Sequence, residues 1–249
     1  EISFRLKAPG EAWFRDFKVE EVPTWEDDAE LVVATLGDST GVMAYLPDEE
    51  TVWYKLEQLL RDRFPDRHIQ VRCLAESGEY LDRLLTSGRL ERELDTLPRC
   101  DIMVIRYGLN DRGKRVTVPD FKSQTLEACR RVRARFPQVR IVLATTIPPY
   151  AEDYSAATRQ LAQEHNLPLI DLEACLRRHS ERGNGDWHTG PGARIGRPTD
   201  ANPPANPTGL AGDKHPNAYG ALLMPAEKFR ILEPIAAEML ARTAARTAP

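Results

Sequence analysis

The sequence lacks the features that mark several large classes of protein. No apolar run approaches the roughly 18 residues that a membrane-spanning helix requires. Basic residues are not in excess, since 34 Lys and Arg stand against 38 Asp and Glu, for a net charge of −4. A protein that binds nucleic acid through a basic surface would show the opposite balance. The composition therefore predicts neither a membrane nor a nucleic acid as a partner.

Cysteine is scarce as well, with four residues in the chain. They lie far apart, without a Cys-x-x-Cys pair or a histidine at ligand spacing, which argues against a zinc site. Each lies in or beside an apolar segment, so we interpret them as small buried hydrophobic residues and leave one disulfide open. The chain opens with Glu1 rather than Met, which indicates that it was trimmed from something longer, and no signal sequence is left to read. The missing Met and a possible upstream β module favour a secreted or periplasmic protein over a cytoplasmic one.

Apolar strands alternate with amphipathic helices from residue 30 onward. The continuous apolar run Leu31–Leu36 is typical of a strand that is buried on both faces. Further strands are predicted at 69–74, 101–107, 140–145 and 167–172, with helices at 49–64, 79–95, 119–136, 152–165 and 218–242. Pro225 and Pro234 are expected to bend or divide the last helix. The pattern predicts a three-layer α/β/α sandwich around a five-stranded, mostly parallel sheet.

Two segments depart from this alternation. Residues 1–28 show period-two alternation around a Pro-Gly turn, which predicts a short N-terminal β-hairpin or the remnant of an upstream β domain. Residues 183–214 are rich in Gly, Pro and Asn and have almost no apolar periodicity. We interpret them as a long loop on the substrate side, with a plain flexible insertion as the alternative. The main domain is predicted to span residues 29–249.

A candidate nucleophile and a candidate base lie at opposite ends of the main domain. In parallel sheets, functional residues cluster beyond the carboxyl ends of the strands, and Ser39 directly follows the first strand. His215 precedes the last helix, with Asp213 two residues before it. A histidine can take the proton of a serine hydroxyl while an acid orients its ring. Taken singly, Ser39 could be a helix cap, and His188 is a rival to His215.

Hydrogen-bond donors for an oxyanion follow the next two strands. Gly78 has no side chain, so its backbone N–H can approach a ligand closely. Asn110 carries an amide just past the third strand. Together with the backbone N–H of Ser39, these groups could surround a developing negative charge. Taken singly, Gly78 is a turn residue and Asn110 a former of Asx turns.

Four sequence blocks hold these candidates, namely Gly37-Asp38-Ser39-Thr40, Gly78, Gly108-Leu109-Asn110-Asp111 and Asp213-Lys214-His215-Pro216-Asn217. Together they resemble the blocks of a known family, the SGNH/GDSL hydrolases. They occur in the family's order across residues 30–242, nearly all of the main domain. The resemblance implies a flavodoxin-like fold and a serine esterase that needs no cofactor and no metal. It also implies that Ser39 is the nucleophile, that Gly78 and Asn110 are oxyanion donors, and that His215 is the base.

The sequence departs from the family pattern at two positions. Most members have the acid three residues before the histidine, where this chain has Gly212, so either Asp213 or a backbone carbonyl orients His215. Thr40 replaces the usual leucine after the serine, as in some carbohydrate acetylesterases of the family. Together with a polar loop that carries Trp187, on which a sugar ring could stack, this predicts removal of acetyl groups from a carbohydrate.

Further residues are candidates for contact with the substrate, a small-molecule or carbohydrate ester. They are Asp38, Thr40, Arg106, Arg112, Trp187 and His188. Arg106 lies near the end of an apolar strand, where a charge must find a partner. It is expected either to bind a polar group of the substrate or to pair with a carboxylate such as Asp111.

Three alternatives to an acetylesterase stay open at this point. One is a lipase- or thioesterase-type enzyme of the same family that acts on another acyl substrate. Another is a metal-dependent phosphoesterase in which Asp38, Asn110, Asp111 and His215 bind the cation. The last is a glycan-binding module without catalysis. The sequence leaves the oligomeric state open.

Overall fold

A five-stranded parallel sheet forms the centre of the fold. The computed structural model describes residues 29–44, 46–147, 151–183, 215–216 and 218–247. The strands are β1 (Leu31–Leu36), β2 (Ile69–Cys73), β3 (Ile102–Ile105), β4 (Arg140–Ala144) and β5 (Leu169–Ile170). Their spatial order is β2-β1-β3-β4-β5, and every neighbouring pair is parallel. The chain leaves β1 toward β2 and later returns to its other side with β3, so a crevice opens beyond the carboxyl ends of β1 and β3.

Helices cover both faces of this sheet. They are α1 (Ser39–Val42), α2 (Val52–Arg63), α3 (Leu81–Thr86), α4 (Arg89–Asp95), α5 (Leu109–Gly113), α6 (Val118–Arg135), α7 (Glu152–Glu164), α8 (Leu172–Gly183) and α9 (Ala218–Thr247), with a 3-10 turn at Asp48–Glu50. Side chains of β1 alternate between two cores, as Ala34 packs with α3, α4, α6 and α7 while Val33 packs with α2, α8 and α9. The predicted α/β/α sandwich is confirmed.

Two helices differ from what the sequence pattern indicated. Helix α8 was not predicted, because it begins directly after β5 and has few apolar positions, of which Leu172, Cys175 and Leu176 are buried. Of the two outcomes expected for the prolines, division does not occur, since α9 continues through Pro225 and Pro234 to Thr247. Apolar residues buried along it, such as Leu232 and Ala236, offset the backbone hydrogen bonds that the two prolines remove.

The segments outside the described ranges include two predicted features. The hairpin at residues 1–28 and nearly all of the loop at residues 183–214 fall there. The division of the chain at residue 28 therefore stays a prediction. Within the described ranges, no helix is both long and apolar enough to cross a membrane.

All four cysteines lie in the described part of the chain, and none forms a disulfide. Cys100, Cys129 and Cys175 are buried, as expected of small hydrophobic residues, whereas Cys73 is half-buried. Burial raises the pKa of the Cys100 thiol to about 12 and that of Cys129 to about 11. These two thiols therefore stay protonated and unreactive at neutral pH.

The outer edge of β2 is covered by side chains from α2. Glu57 accepts a hydrogen bond from the backbone N–H of Val71 at 2.8 Å. Arg61 donates through Nε to the carbonyl oxygen of Ile69 at 3.0 Å. Two backbone groups that an edge strand would otherwise leave open are satisfied in this way.

Candidate active site

The turn from β1 into α1 places Ser39 at the carboxyl edge of the sheet. Asp38 caps α1, because its Oδ1 accepts hydrogen bonds from the backbone N–H of Thr40 at 2.9 Å and from its hydroxyl at 2.6 Å. A Cβ on Gly41 would lie 3.0 Å from the Cβ of Ala75, so only glycine lets α1 pack this closely. Asp38 and Thr40 are buried and bonded to each other, which places them behind Ser39 rather than facing a substrate.

The structure brings the candidate nucleophile and the candidate base together. Nε2 of His215 lies 2.8 Å from Oγ of Ser39, although the two residues are 176 positions apart. At this distance the imidazole can accept the hydroxyl proton directly. Asp213, Trp187 and His188 lie outside the described residues, so their predicted roles stay predictions.

The two segments with further candidate donors lie against this turn. The backbone N–H of Glu76 donates to the carbonyl oxygen of Gly37 at 3.1 Å, which ties the loop after β2 to the turn after β1. Gly78 in that loop has φ +79°, a conformation that disfavours any side chain. Asn110 donates through Nδ2 to the carbonyl oxygen of Glu79 at 2.9 Å. The second hydrogen of this amide stays available for a ligand.

Asp111 joins the same two segments from inside the protein. Its Oδ1 accepts from the backbone N–H of Leu81 at 2.9 Å, and its Oδ2 accepts from that of Gly108 at 2.8 Å. Burial raises the pKa of Asp111 to about 6, and the charge of Asp38 acts in the same direction, while hydrogen bonds from the backbone N–H groups of Leu81, Gly108 and Asp111 itself lower it. Through its hydrogen bonds to Leu81 and Gly108, the carboxylate holds the turn that carries Asn110 beside the start of α3.

The raised pKa of Asp111 predicts a pH dependence of stability. Between about pH 4 and pH 6 the unfolded chain loses this proton before the folded chain does, so the contribution of Asp111 to the free energy of unfolding falls as pH rises. From the ordinary value of 3.8 to about 6, the shift predicts a fall of about 2 kcal/mol between pH 4 and pH 7. In urea unfolding, the free energy of unfolding of the wild type minus that of Asp111→Asn is expected to fall by this amount from pH 4 to pH 7.

The control for this measurement is Asp95→Asn, because the Asp95 side chain is 72% exposed. Its difference from the wild type is expected to stay constant with pH within about 0.5 kcal/mol. Parallel curves for the wild type and Asp111→Asn would show that the Asp111 carboxyl titrates alike in the folded and unfolded chain.

Arg106 lies under α1 and is 4% exposed, so it does not face the crevice. Its Nη2 is 3.9 Å from Oδ1 of Asp38, and neither Nη atom has a hydrogen-bond partner. The expected pairing with a carboxylate thus involves Asp38 and not Asp111. Arg112 is exposed on α5, two residues beyond Asn110, and its predicted contact with substrate stays open.

The residues proposed for a metal site do not form one among the described residues. No group of three or more His, Cys, Asp and Glu side chains in the described ranges could hold a metal ion. Asp38 is bonded to Thr40, and both oxygens of Asp111 accept backbone N–H groups. The alternative of a metal-dependent phosphoesterase therefore has no ligand set in this part of the chain.

Two buried charged residues beside the site were not predicted from the sequence. Glu79 follows Gly78 directly, and Arg89 begins α4, yet both side chains are buried. No sequence signal marks them, because isolated charged residues in a loop and at a helix start usually face water.

Comparison with known proteins concerns the chain as a whole and its fold. The model of the GDSL-like lipase/acylhydrolase family matches residues 35–223. No curated protein sequence matches the chain. Among solved structures, LAE5, an alpha/beta hydrolase enzyme from the metagenome of Lake Arreo, has a TM-score of 0.62 at 17% identity, over 83% of this chain and 97% of its own.

Two further solved structures are similar. The acetylxylan esterase Axe2 from Geobacillus stearothermophilus has a TM-score of 0.61 at 18% identity, covering 82% of this chain and 94% of its own. The psychrotrophic esterase EstA from Pseudoalteromonas sp. has a TM-score of 0.58 at 20% identity, covering 82% of this chain and 97% of its own. At these identities the likeness concerns the fold.

Proposed function

Since the chain belongs to the GDSL-like lipase/acylhydrolase family and is a carboxylic ester hydrolase, we propose that it removes O-acetyl groups from a carbohydrate through an acyl-enzyme on Ser39. The observation that carries the proposal is the 2.8 Å distance between Oγ of Ser39 and Nε2 of His215. A serine hydroxyl is a weak nucleophile unless a base of this kind takes its proton.

The reaction proceeds in two halves. Oγ of Ser39 attacks the acetyl carbonyl while Nε2 of His215 takes the hydroxyl proton. The tetrahedral intermediate then collapses, its C–O bond to the sugar breaks, and the leaving alcohol receives the proton from His215. Water attacks the acetyl-Ser39 ester with His215 again as base, which releases acetate and restores the hydroxyl.

The negative oxygen of each tetrahedral intermediate needs fixed donors. The backbone N–H groups of Ser39 and Gly78 and the free amide hydrogen of Asn110 serve this purpose in the proposal. Each such donor is typically worth about 10²- to 10³-fold in rate. Asp213, or in its place a backbone carbonyl, orients the imidazole of His215 through Nδ1.

Three observations support a carbohydrate ester as the substrate. Thr40 stands where most of the family has leucine, and its hydroxyl donates a hydrogen bond to Asp38. The segment at residues 183–214 is polar and carries Trp187, which suits a sugar ring better than a long acyl chain. A solved structure of similar fold is that of an acetylxylan esterase.

A series of p-nitrophenyl esters tests the acyl preference. The value of kcat/KM is expected to fall by roughly tenfold or more from the acetate to the octanoate, since a site built for acetyl gains nothing from extra methylenes. Acetylated xylo-oligosaccharides are expected to release acetate at a comparable or higher kcat/KM. Both rates are expected to be unchanged by a chelator.

Other outcomes identify other enzymes. A preference for octanoate, or for an acyl thioester, would replace the acetylesterase by a lipase- or thioesterase-type enzyme of the same family. Loss of activity with chelator would contradict the serine mechanism. A protein that binds the oligosaccharide without hydrolysing any ester would be a glycan-binding module.

A further inference from the structure

The loop that carries Gly78 has an unusual anchor in the core. This loop, residues 74–80, joins β2 to α3 and is called the oxyanion loop below. The side chain of Glu79, directly after Gly78, is 0% exposed. A buried carboxylate must find a cation or several donors, because burial without a partner is costly.

Arg89 of α4 is that cation, and it holds the oxyanion loop at three points. Its Nη1 lies 2.5 Å from Oε2 of Glu79, and its Nη2 donates to the carbonyl oxygen of Leu74 at 2.7 Å. Its Nε lies 2.6 Å from Oε2 of Glu76. One planar guanidinium thus fixes the start, the middle and the end of the loop. Arg89 is only 5% exposed.

The pairing keeps Arg89 charged. Burial alone would lower the pKa of its guanidinium, but the charges of Glu79 and Glu93 raise it above the ordinary value. Buried ion pairs of this kind are weak contributors to stability, since apolar residues of similar volume can replace them without loss. Apolar residues would not supply directional hydrogen bonds. The guanidinium binds three acceptors at fixed angles and so holds the loop in one conformation.

The loop conformation determines where the oxyanion donors lie. Gly78 is held at φ +79° next to the anchored Glu79. The carbonyl oxygen of Glu79 in turn receives the hydrogen bond from Asn110 at 2.9 Å. A shift of the Glu79 peptide would therefore move the backbone N–H of Gly78 and the Asn110 amide together.

We propose that Arg89 is a positioning residue that, through Glu79 and Glu76, holds the donors of Gly78 and Asn110 in the place where the oxyanion forms. This inference rests on the proposed function, because it assigns Arg89 to the same site. Arg89 itself touches neither the substrate nor the reacting atoms.

A neighbouring arginine provides a matched control. Arg83 also contacts Glu76, at 2.8 Å, and Glu79, at 3.7 Å, but its side chain is 45% exposed. Exposed ion pairs contribute little, since solvent screens them. If charge near the two carboxylates were all that mattered, loss of Arg83 and loss of Arg89 would have similar effects.

The test uses the double variant Arg89→Met/Glu79→Met, which removes both buried charges and leaves neither unpaired. We expect kcat to fall about 10- to 100-fold with KM within about twofold of the wild type, because displaced donors weaken only the transition state. Arg83→Met is expected to retain the wild-type kcat. Arg89→Lys keeps the charge but not the fork, and its kcat is expected to lie between the two.

A second measurement separates positioning from stability. A trifluoromethyl ketone forms a tetrahedral adduct with the serine, and its oxyanion occupies the same donors. Its inhibition constant is expected to rise by the factor by which kcat/KM falls, whereas a merely structural role would change only the melting temperature. A double variant that folds and keeps the wild-type kcat would overturn the inference. If the double variant does not fold, a wild-type kcat in Arg89→Lys would overturn it. A wild-type protein that hydrolyses no ester would instead overturn the proposed function.

Discussion

Replacement of Ser39 by alanine is expected to lower kcat for p-nitrophenyl acetate by about 10⁴- to 10⁶-fold. The substitution removes the oxygen proposed to attack the ester, which lies 2.8 Å from Nε2 of His215. The turn itself is expected to persist, because α1 is capped by Asp38 through bonds to Thr40 that the substitution leaves in place. The melting temperature should therefore stay close to that of the wild type.

The measurement combines kinetics with covalent labelling. A fluorophosphonate is expected to add one phosphonyl group to the wild type, on the peptide that contains Ser39, and none to Ser39→Ala. Ser87→Ala, which changes an exposed serine at the end of α3, is the control and should be labelled and active as the wild type. Near-normal turnover by Ser39→Ala would assign the nucleophile to another group.

Replacement of His215 by alanine is expected to reduce kcat by about 10⁴-fold or more, since the proposed nucleophile Ser39 then loses its proposed base. The sharper expectation concerns the double variant. Because the proposed mechanism makes the two residues act as one unit, Ser39→Ala/His215→Ala should be hardly slower than either single variant. Residual activity over water would come from the oxyanion donors alone.

Independent effects of the Ser39 and His215 substitutions on kcat would contradict the proposal that the two residues act together. If the losses of the two single variants multiplied in the double variant, Ser39 and His215 would act in separate steps despite their contact. His165→Ala is the control, since His165 is exposed at the end of α7 and its loss should leave kcat unchanged.

The strands were the most predictable part of the fold. The apolar run Leu31–Leu36 was predicted with the bounds that β1 has, because a strand covered on both faces is apolar at nearly every position, with Thr35 the one exception here. The prediction at residues 167–172 was too long, since only Leu169 and Ile170 pair with β4. An edge strand is limited by its neighbour, and the sequence pattern does not show where pairing stops.

The contact between Ser39 and His215 was predictable only in outline. The rule for parallel sheets and the resemblance to a family together placed both residues at one edge, but neither gives a distance. Arg106 shows the corresponding limit. It was expected to pair with a carboxylate such as Asp111, which is near in sequence, whereas it lies beside Asp38 because β3 adjoins β1 in the sheet.

The anchor of the oxyanion loop could not be predicted at all. Glu79 and Arg89 are ten positions apart on different elements, and each alone is typical of a solvated surface. Their burial follows from how α4 packs against the loop after β2. Interactions of this kind depend on the tertiary arrangement, which leaves no periodic trace in the sequence.

The covered edge of β2 bears on how the protein behaves at high concentration. An exposed edge strand is a template on which a second molecule can polymerise into fibrils. Here an arriving strand would first have to displace Glu57 from Val71 and Arg61 from Ile69. The opposite margin, β5, offers a ladder of only two residues. Among the described strands, aggregation by sheet extension is thus disfavoured at both margins, and substitution of Glu57 by alanine is expected to open one of them.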